Sequence, residues 1–470
     1  MSTLVYWILR AVTRVALAIY FSKIEVEGEE DVPAGPIVIA ATHPNAFIDV
    51  ALVATRLQRR VHFVAKAALF KNPLGAAFLR ALGAVPVERR MDREGAALEA
   101  GAQDKNAKSL AACEEVVAAG GAVLIFPEGT SEHVPKLLPL KTGVARIALG
   151  AEARRKAAGS PSGGPVPPIQ GVSVVPVSVR YDDPTSFRSR ARVRFLRAIP
   201  VEPFSTGAAT PEPKDPQGAV RALTGAVRDA LEPTVVHVED ESLAMLVSFV
   251  DEIYGHTVAA QAGARLAAAP AIAQAVNAFA KSSPERVASA KEKIERYRAA
   301  LAAAGLDDSV VRATHDRPTI GQNVALLAGL PFALWGILHH WIPYQLPRLV
   351  TGAFVKDETM VSTVKLVVGT VAFIGLYVGE GFVWAHFLGD LPGVLIALTL
   401  PVSGVIALDV IEAWKARARR RRRRALREGT DPAKLRELEV LRGAIVAELD
   451  RARAEFLLAR NEPLPEEGLA

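Results

Sequence analysis

The chain has 470 residues, of which 50% are hydrophobic and 23% charged, and its formal net charge is +6. This composition excludes a disordered chain, and the length suggests more than one domain, because single hydrophobic cores stop growing at roughly 250–300 residues. A single cysteine, Cys113, excludes an intramolecular disulfide framework and a thiolate-rich metal site.

The N-terminal residues 1–22 predict an amphipathic helix. Arg10 and Arg14 lie four residues apart, on one side of a helix whose other positions are largely apolar. A secretory signal would place its charges first and follow them with an unbroken apolar run, so we expect a helix that lies at a membrane surface. The alternative is a helix packed on the domain that follows.

Residues 23–205 predict an α/β domain. Short β-rich runs bounded by Gly and Pro alternate with helical stretches, which is typical of a largely buried sheet with helices on its faces. The predicted strands are Pro36–Ala41, Val61–Lys66, Ala84–Glu88, Ala122–Pro127, Val172–Arg180 and Arg192–Arg197. The predicted helices cover 46–58, 73–82, 93–119 and 141–157.

A histidine and an aspartate follow the first predicted strand, with five residues between His43 and Asp49. A carboxylate can fix the tautomer of an imidazole while the other ring nitrogen takes a proton from a hydroxyl. A step of six residues aligns two side chains poorly on an uninterrupted helix. We therefore expect the chain to turn at Pro44 and the helix to begin near Asn45, as its cap. A His and an Asp at this spacing alone are more often structural.

Later predicted strands also carry, or lead to, residues that could bind a substrate. The strand after Gly83 leads to Arg89, whose guanidinium suits a bidentate grip on phosphate. The next strand opens into a tight glycine turn that exposes Glu128, backbone N–H groups and hydroxyls. Pro176 interrupts a buried apolar run, where a proline cannot donate to the sheet ladder.

Four short blocks thus stand in order along the first 180 residues, namely His43…Asp49, Gly83…Arg89, Phe126-Pro127-Glu128-Gly129-Thr130 and Val175-Pro176-Val177. In this order and spacing they resemble the glycerolipid acyltransferase family, which includes glycerol-3-phosphate and lysophosphatidic acid acyltransferases. The resemblance covers roughly residues 25–200 and implies a glycerol-phosphate-acyltransferase-like mixed sheet flanked by helices.

The spacing also indicates a subgroup. Most of the family has four residues between its His and Asp, whereas the His-Pro-Asn-x-Phe-x-Asp form found here is similar to fungal glycerol-3-phosphate/dihydroxyacetone-phosphate acyltransferases. The stretches Leu137–Gly143 and Phe187–Ser189 fit that subgroup too. One departure is Ser131-Glu132, where many members place an arginine after the Gly-Thr.

The resemblance implies direct acyl transfer without a covalent enzyme intermediate, with His43 and Asp49 as the catalytic pair. His43 would remove the proton from an acceptor hydroxyl that attacks the thioester of acyl-CoA or acyl carrier protein. Asp49 would orient His43 and stabilise its charged form. We expect no cofactor beyond this acyl thioester donor, and no metal, because no metal-ligand spacing occurs in the sequence.

The resemblance also implies an acceptor site, in which a glycerol-phosphate or lysolipid would bind. The residues that would line this site are Arg89, Glu128, Gly129 and Thr130, with Arg89 on the phosphate and Pro176 shaping the wall. Lys66 and Lys141, at the ends of elements, are further phosphate candidates, and a solvated surface role is their alternative.

The composition of the C-terminal half changes twice along the chain. Residues 218–320 predict an Ala-rich helical accessory region, and residues 324–414 are apolar. Within the latter, Leu366–Leu388 and Leu391–Trp414 are each long enough to cross a hydrocarbon core of about 30 Å, which predicts a membrane hairpin. The prolines and paired histidines of 324–347 predict a re-entrant or interfacial segment. Glu380 is costly in lipid and should face a protein interior or an interface.

Residues 415–470 predict a basic run and a helical tail. Lys415–Arg427 holds nine basic residues, with Arg419–Arg424 consecutive. Beside a membrane span, such a run marks the cytoplasmic side and can hold anionic lipid head groups, whereas the alternative is a nucleic-acid arm. Two spans return this run to the side of the α/β domain, and three would separate them. We expect two, with the catalytic domain facing the cytoplasm and no nucleic-acid partner.

The sequence therefore predicts a membrane-bound acyltransferase that makes lysophosphatidic or phosphatidic acid. Within the same class, dihydroxyacetone phosphate or another lysolipid could be the acceptor instead. From a different class, the chain could be a catalytically silent, membrane-anchored lipid-binding scaffold. A serine hydrolase is disfavoured, because there is no Gly-x-Ser-x-Gly elbow and Cys113 lies in a helical run without a flanking base.

Overall fold

The structure is a computed structural model that describes residues 3–87, 101–134, 136–158, 171–205, 215–238, 240–262, 268–312 and 320–460. The chain forms two compact units, Met1–His237 with Lys356–Thr363, and Val238–Val355 with Val364–Ala470. The predicted strand end Glu88 and the predicted phosphate ligand Arg89 lie outside the described residues.

The first unit is built on a mixed sheet. Its strands are β1 (Lys23–Glu27), β2 (Ile37–Ala41), β3 (Val61–Lys66), β4 (Ala84–Val87), β5 (Ala122–Ile125), β6 (Ser173–Tyr181), β7 (Arg190–Phe195) and β8 (Ile199–Pro200). They run in the order β1-β7-β6-β2-β5-β3-β4, with β8 beside β6. Only the pairings of β6 with β7 and with β8 are antiparallel among the described strands. The predicted mixed sheet is confirmed.

Burial explains which strands the sequence could predict. All five residues of β2 are buried, as are most of β6, because a strand covered on both faces reads as a continuous apolar run. Strand β1, Lys-Ile-Glu-Val-Glu, was not predicted. It lies at the edge of the sheet, where only one neighbour covers it, so alternating charges are tolerated.

Helices cover this sheet. They are α1 (Thr3–Tyr20), α2 (Ala46–Ala54), α3 (Pro73–Ala81), α4 (Gly101–Ala118), α5 (Gly143–Ala158), α6 (Glu202–Ser205) and α7 (Pro216–Leu231). The structure departs from the predicted boundary at 218, because α7 belongs to this unit. Its apolar stripe of Leu223, Val227 and Leu231 packs into the same core as Val38 and Val174 of the sheet.

Helix α1 has two different sides. Tyr6, Leu17 and Tyr20 are buried, and the Arg10 guanidinium donates to the backbone carbonyl of Thr55 at 2.9 Å. This side packs on the domain, as the alternative interpretation expected. The opposite side is apolar and exposed, at Leu4, Ile8, Val12 and Val15. The membrane-surface interpretation stays a prediction that rests on this exposed side.

The second unit is helical. Its helices are α8 (Glu241–Ala262), α9 (Ala268–Ser282), α10 (Pro284–Ala304), α11 (Asp308–Val311), α12 (Ile320–Phe354), α13 (Glu358–Leu388), α14 (Asp390–Glu428) and α15 (Pro432–Ala459). The start of α13, up to Thr363, is grouped with the first unit. Among the described helices, three are long and apolar enough to cross a membrane, namely Asn323–Phe354, Glu358–Leu388 and Asp390–Glu428.

The segment predicted to be re-entrant or interfacial is one uninterrupted helix. Pro331, Pro343 and Pro347 lie inside α12 without breaking it. The Thr351 hydroxyl donates to the Pro347 carbonyl at 2.7 Å, inside the continuous helix. By length and composition α12 is thus a third candidate span, beyond the two that the sequence predicted.

The predicted need of Glu380 for protein partners is met inside the second unit. His339 Nδ1 lies 2.9 Å from Glu380 Oε1, and the indole N–H of Trp384 donates to Oε2, also at 2.9 Å. Helices α12 and α14 approach closely at Gly336, where a Cβ would lie 2.7 Å from the backbone carbon of Ser403.

Candidate active site

The predicted pair meets at the carboxyl end of β2. Strand β2 ends at Ala41, and His43 follows it directly. The His43 Nδ1 atom lies 3.0 Å from Asp49 Oδ2, with the imidazole 9% exposed and the carboxylate fully buried. Because the carboxylate accepts, Nδ1 carries the proton, and Nε2 is left as the basic nitrogen for a substrate hydroxyl.

A strained residue accommodates the extra residue between His43 and Asp49. Helix α2 begins at Ala46, whose φ of +43° lies in the left-handed region that residues with a Cβ avoid. Asn45 is the N-cap by position, as predicted, but its side chain makes no capping hydrogen bond. Instead, Asp49 reaches back and accepts from the Asn45 backbone N–H at 2.7 Å. The turn thereby brings together the two side chains that were predicted to be catalytic.

A buried tyrosine completes the environment of Asp49. Tyr181, the last residue of β6, donates its hydroxyl to Asp49 Oδ1 at 2.5 Å. Burial, and next the negative charge of Asp49, raise the pKa of Tyr181 well above its usual value. The phenol therefore stays protonated and acts only as a donor. Each carboxylate oxygen thus has a defined partner, which fixes the side that faces His43.

The glycine turn after β5 lies beside His43, because β2 and β5 are parallel neighbours. The Phe126 ring stacks on the imidazole, with centroids 3.7 Å apart and planes 14° from parallel. The Glu128 carboxylate accepts the His43 backbone N–H at 3.1 Å. Burial is the main reason that the pKa of Glu128 rises to about 7. Glu128, predicted to line the acceptor site, thus also holds the backbone of His43.

Gly129 and Lys141 meet in the same turn. The turn closes with the Gly129 N–H donating to the Phe126 carbonyl at 3.1 Å, and Gly129 has φ +74°. A Cβ at Gly129 would collide with the Lys141 side chain, whose Cε would lie 2.7 Å away. The Lys141 backbone N–H donates to Pro127 at 2.7 Å, which anchors the lysine there. An ammonium and a glycine turn together suit an anionic group.

The other predicted residues are placed less directly. Thr130 follows Gly129 and is half-buried, while Lys66 is exposed at the end of β3, next to β5 in the sheet. Pro176 is buried inside β6, where it pairs with Ala40 rather than lying at the strand end. The described contacts do not bring Lys66 or Pro176 to the catalytic pair.

Sequence reasoning missed the role of Tyr181. It lies 132 residues from Asp49 along the chain, so spacing could not reveal the contact. A signal did exist, since Tyr181 is a polar residue at the exit of a strand predicted to lie in the same sheet. Among the described residues, no cluster of three or more His, Cys, Asp or Glu could hold a metal ion.

An apolar crevice lies between α1 and α2 in the first unit. Its lining includes Tyr6 and Thr13 from α1, Phe47 and Ala51 from α2, and Phe63 from β3. Phe47 belongs to the same turn that carries His43 to Asp49.

A carboxylate-oriented imidazole at the carboxyl edge of a mixed sheet, beside a glycine turn and a lysine, has the geometry to accept a proton from a hydroxyl near an anion. Residues 23–180 match the family model described as "Acyltransferase". Residues 23–180 therefore form an acyltransferase domain, as the motifs predicted.

Several characterised proteins are similar to this domain. Glycerol-3-phosphate O-acyltransferase 1 of Saccharomyces cerevisiae is 32% identical over 140 residues, 30% of this chain and 17% of the yeast protein. The yeast Glycerol-3-phosphate O-acyltransferase 2 is 42% identical over 82 residues, 17% of this chain and 9% of that protein. The chloroplastic 1-acyl-sn-glycerol-3-phosphate acyltransferase BAT2 of Brassica napus is 29% identical over 136 residues, which are 28% of this chain and 36% of the Brassica protein. The matches thus span well under half of these relatives.

Among solved structures, the 1-acyl-sn-glycerophosphate acyltransferase PlsC from Thermotoga maritima superposes with a TM-score of 0.33 at 18% identity. It covers 48% of this chain and 77% of that one.

Proposed function

We propose that the protein is a membrane-bound O-acyltransferase that moves a fatty acyl group from a thioester donor to the hydroxyl of glycerol-3-phosphate or lysophosphatidic acid. The observation that carries this proposal is the 3.0 Å contact between His43 Nδ1 and the buried Asp49. The donor would be acyl-CoA or an acyl carrier protein, and no other cofactor takes part.

The reaction follows from the order of groups at the sheet edge. His43 Nε2 takes the proton of the acceptor hydroxyl as its oxygen attacks the thioester carbonyl, and the Asp49 carboxylate stabilises the imidazolium that forms. The tetrahedral intermediate collapses, the C–S bond breaks, and the leaving thiolate receives the proton from His43. Acid–base help of this kind is worth about 10²–10⁴-fold, so positioning of both substrates must supply much of the rest.

The acceptor phosphate would bind at the glycine turn. Lys141 lies across Gly129 there, and Thr130 adds a hydroxyl and Glu128 a carboxylate beside His43. Arg89 stays a proposed phosphate ligand on the strength of the motif, as Lys66 does from its strand end.

The test is acyl transfer by purified protein in liposomes, with glycerol-3-phosphate, dihydroxyacetone phosphate and lysophosphatidic acid offered in parallel. We expect turnover with glycerol-3-phosphate or with lysophosphatidic acid. We expect His43→Ala to lower kcat at least 10²-fold. A matched control is His62→Ala, which removes a half-buried histidine on β3 that the mechanism does not use. Equal turnover in the wild type and His43→Ala would refute the mechanism.

The same assay separates the alternatives. Turnover with dihydroxyacetone phosphate or another lysolipid alone would keep the chemistry and change the acceptor. Absence of transfer to every acceptor, together with binding of phospholipid vesicles, would indicate the lipid-binding scaffold. The buried, fully hydrogen-bonded Asp49 favours the enzyme, because a carboxylate that serves no reaction would be costly to keep out of water.

For the membrane we propose two crossings, by α13 and α14, with the first unit on the cytoplasmic side. Residues 356–363 follow α12 directly, yet they are grouped with the first unit, where Ser362 bonds Pro184. The helices described between 215 and 312 include no candidate span. A single crossing by α12 would therefore put Ser362 on the opposite side from its partner. This argues against a single crossing by α12. A hairpin of α13 and α14 returns the basic run 415–427 to the side of the sheet, where anionic head groups would bind it.

Cysteine labelling tests this topology, because Cys113 is the only native cysteine and is buried. In a Cys113→Ser background, an impermeant maleimide applied to intact host cells should label Leu388→Cys at the hairpin tip. The variants Lys356→Cys and Thr430→Cys should react only after the cells are opened. Labelling of Thr430→Cys in intact cells would mean an odd number of crossings and refute the arrangement.

A further inference from the structure

The N-terminal part of α13 is in hydrogen-bond contact with the acyltransferase domain. Ser362 is fully buried, and its hydroxyl donates to the backbone carbonyl of Pro184 in the loop between β6 and β7. The Tyr20 hydroxyl, at the end of α1, donates to Ser362 Oγ at 2.8 Å. Burial raises the pKa of Tyr20 to about 12, so this phenol keeps the proton that it donates. Ser362 thus has one fixed donor and one fixed acceptor.

The Pro184 carbonyl also accepts a hydrogen bond from the turn between His43 and Asp49. Asn45 Nδ2 donates to the same oxygen at 2.7 Å, and the Asn45 backbone N–H donates to Asp49 Oδ2 at 2.7 Å. One carbonyl oxygen therefore joins Ser362 to the residue that holds the catalytic carboxylate. Asn45 directly precedes the strained Ala46, and such a backbone persists only where its surroundings fix it.

We propose that Ser362 is a positioning residue of the acyl-transfer site, which fixes Asn45 through the Pro184 carbonyl and, through Asn45, the carboxylate of Asp49. This inference rests on the proposed function. It gives the start of α13 a second role besides leading into an apolar helix, because the catalytic turn is complete only when this segment is docked. Loss of the Ser362 hydroxyl leaves the Pro184 carbonyl held by Asn45 alone, and the turn gains freedom.

The first test is steady-state acyl transfer by the full-length protein in liposomes. Ser362→Ala should lower kcat about 10-fold while the KM values for donor and acceptor change less than about 2-fold, because the substrate contacts stay and only the geometry of the base is lost. Thr363→Val is the matched control, since its hydroxyl is buried in the same turn without a hydrogen-bond partner among the described residues. Equal kcat values for these two variants would overturn the proposal.

A double-mutant cycle tests the route through Asn45. In an Asn45→Ala background, Ser362→Ala should cost less than about 2-fold, because the connection is already cut. An undiminished 10-fold loss in that background would overturn the route. If Ser362→Ala fails to fold, Tyr20→Phe removes the donor to Ser362 without creating a cavity, and it should lower kcat about 3-fold at unchanged KM. No change in kcat would overturn the proposal there too.

A spectroscopic readout keeps this inference separate from the proposed function. In protein labelled with ¹⁵N-histidine, the His43 Nδ1 proton should give a downfield resonance, identified by its loss in His43→Ala. Ser362→Ala should shift or broaden this resonance through faster exchange, and Thr363→Val should leave it in place. This holds whether or not an acceptor turns over, so a silent protein would refute the proposed function alone. An identical resonance in both variants would refute the positioning role alone.

Discussion

The two units each contain a histidine bonded to a carboxylate, and the pairs are nearly identical in distance. His43 Nδ1 lies 3.0 Å from Asp49, and His339 Nδ1 lies 2.9 Å from Glu380. Their surroundings differ. His43 stands at a strand exit beside a glycine turn and a lysine, whereas His339 lies between apolar helices, and no described residue bonds its buried Nε2. An imidazole–carboxylate pair is therefore a candidate base only where a substrate can reach the second ring nitrogen.

The largest difference should come from changing each carboxylate to its amide. Asp49→Asn should lower kcat for acyl transfer by about 10²–10⁴-fold, because the amide can donate to Nδ1 and hold His43 in the wrong tautomer. Glu380→Gln should leave kcat within about 2-fold of the wild-type value, since no described contact joins Glu380 to His43 or Asp49 and independent sites do not couple. Parallel kinetics of the two purified variants are the measurement. A comparable loss in both would mean that the second pair also takes part in turnover.

Two left-handed glycines give the next contrast. Gly129 and Gly305 have φ values of +74° and +65°. Alanine at either costs about 1–2 kcal/mol of backbone strain, but only at Gly129 does a Cβ meet another side chain, that of Lys141. Gly129→Ala should therefore lower kcat/KM about 10²-fold, and Gly305→Ala should lower only the thermal midpoint. Full activity of Gly129→Ala would exclude the turn from the acceptor site.

Two tyrosines that donate to aspartates give a smaller contrast. Tyr181 donates to Asp49, and Tyr254 of the second unit donates to Asp450. Tyr181→Phe should lower kcat about 10-fold with little change in KM, because Asp49 loses one of the donors that orient it. Tyr254→Phe removes a similar bond in which no proposed catalytic residue takes part, and it should change stability without changing kcat. Steady-state kinetics and melting curves of both variants are the measurement. A loss of stability in both variants, with kcat unchanged in both, would contradict the prediction.

Substitution of Glu128 should have the smallest effect on turnover, but it should change how the stability of the protein depends on pH. Its folded-state pKa of about 7 lies above the ordinary 4.5. Between these values the folded protein binds more protons than the unfolded chain, so this group's contribution to stability falls as pH rises from about 4.5 to 7. Glu128→Gln should remove about 1–3 kcal/mol of that decline, while its amide oxygen still accepts the His43 N–H. Thermal unfolding of both proteins across this range is the measurement, and parallel curves would contradict the prediction.

The sequence was most informative where strand exits meet. His43 and the Phe126–Thr130 block could be placed together because they follow buried strands, and parallel strands bring their carboxyl ends to one edge. Tyr181 and Ser362 could not be placed, because their partners are 132 and 178 residues away along the chain. Ser362 was also hidden by its context, since a serine ahead of an apolar run reads as part of the membrane segment. Contacts of this kind depend on tertiary packing, which no local pattern records.

The domain boundary at 218 failed for a related reason. Residues of α7 share the Ala-rich composition of the helices that follow, so composition assigned them to the helical region. The repeat of Ala219, Leu223, Val227 and Leu231 is the better guide, because a narrow apolar stripe must cover a core that already exists.

Helix α14 runs without a break from Asp390 to Glu428, so the apolar part and the arginines form one rod of about 58 Å at 1.5 Å per residue. Successive helical residues are rotated by about 100°, and the six consecutive arginines therefore sweep more than a full circle around the axis. They form a collar of positive charge rather than a stripe. If α14 crosses the membrane as proposed, such a collar would meet acidic lipids from every direction in the leaflet, and it would resist being drawn into the hydrocarbon whichever way the helix tilts.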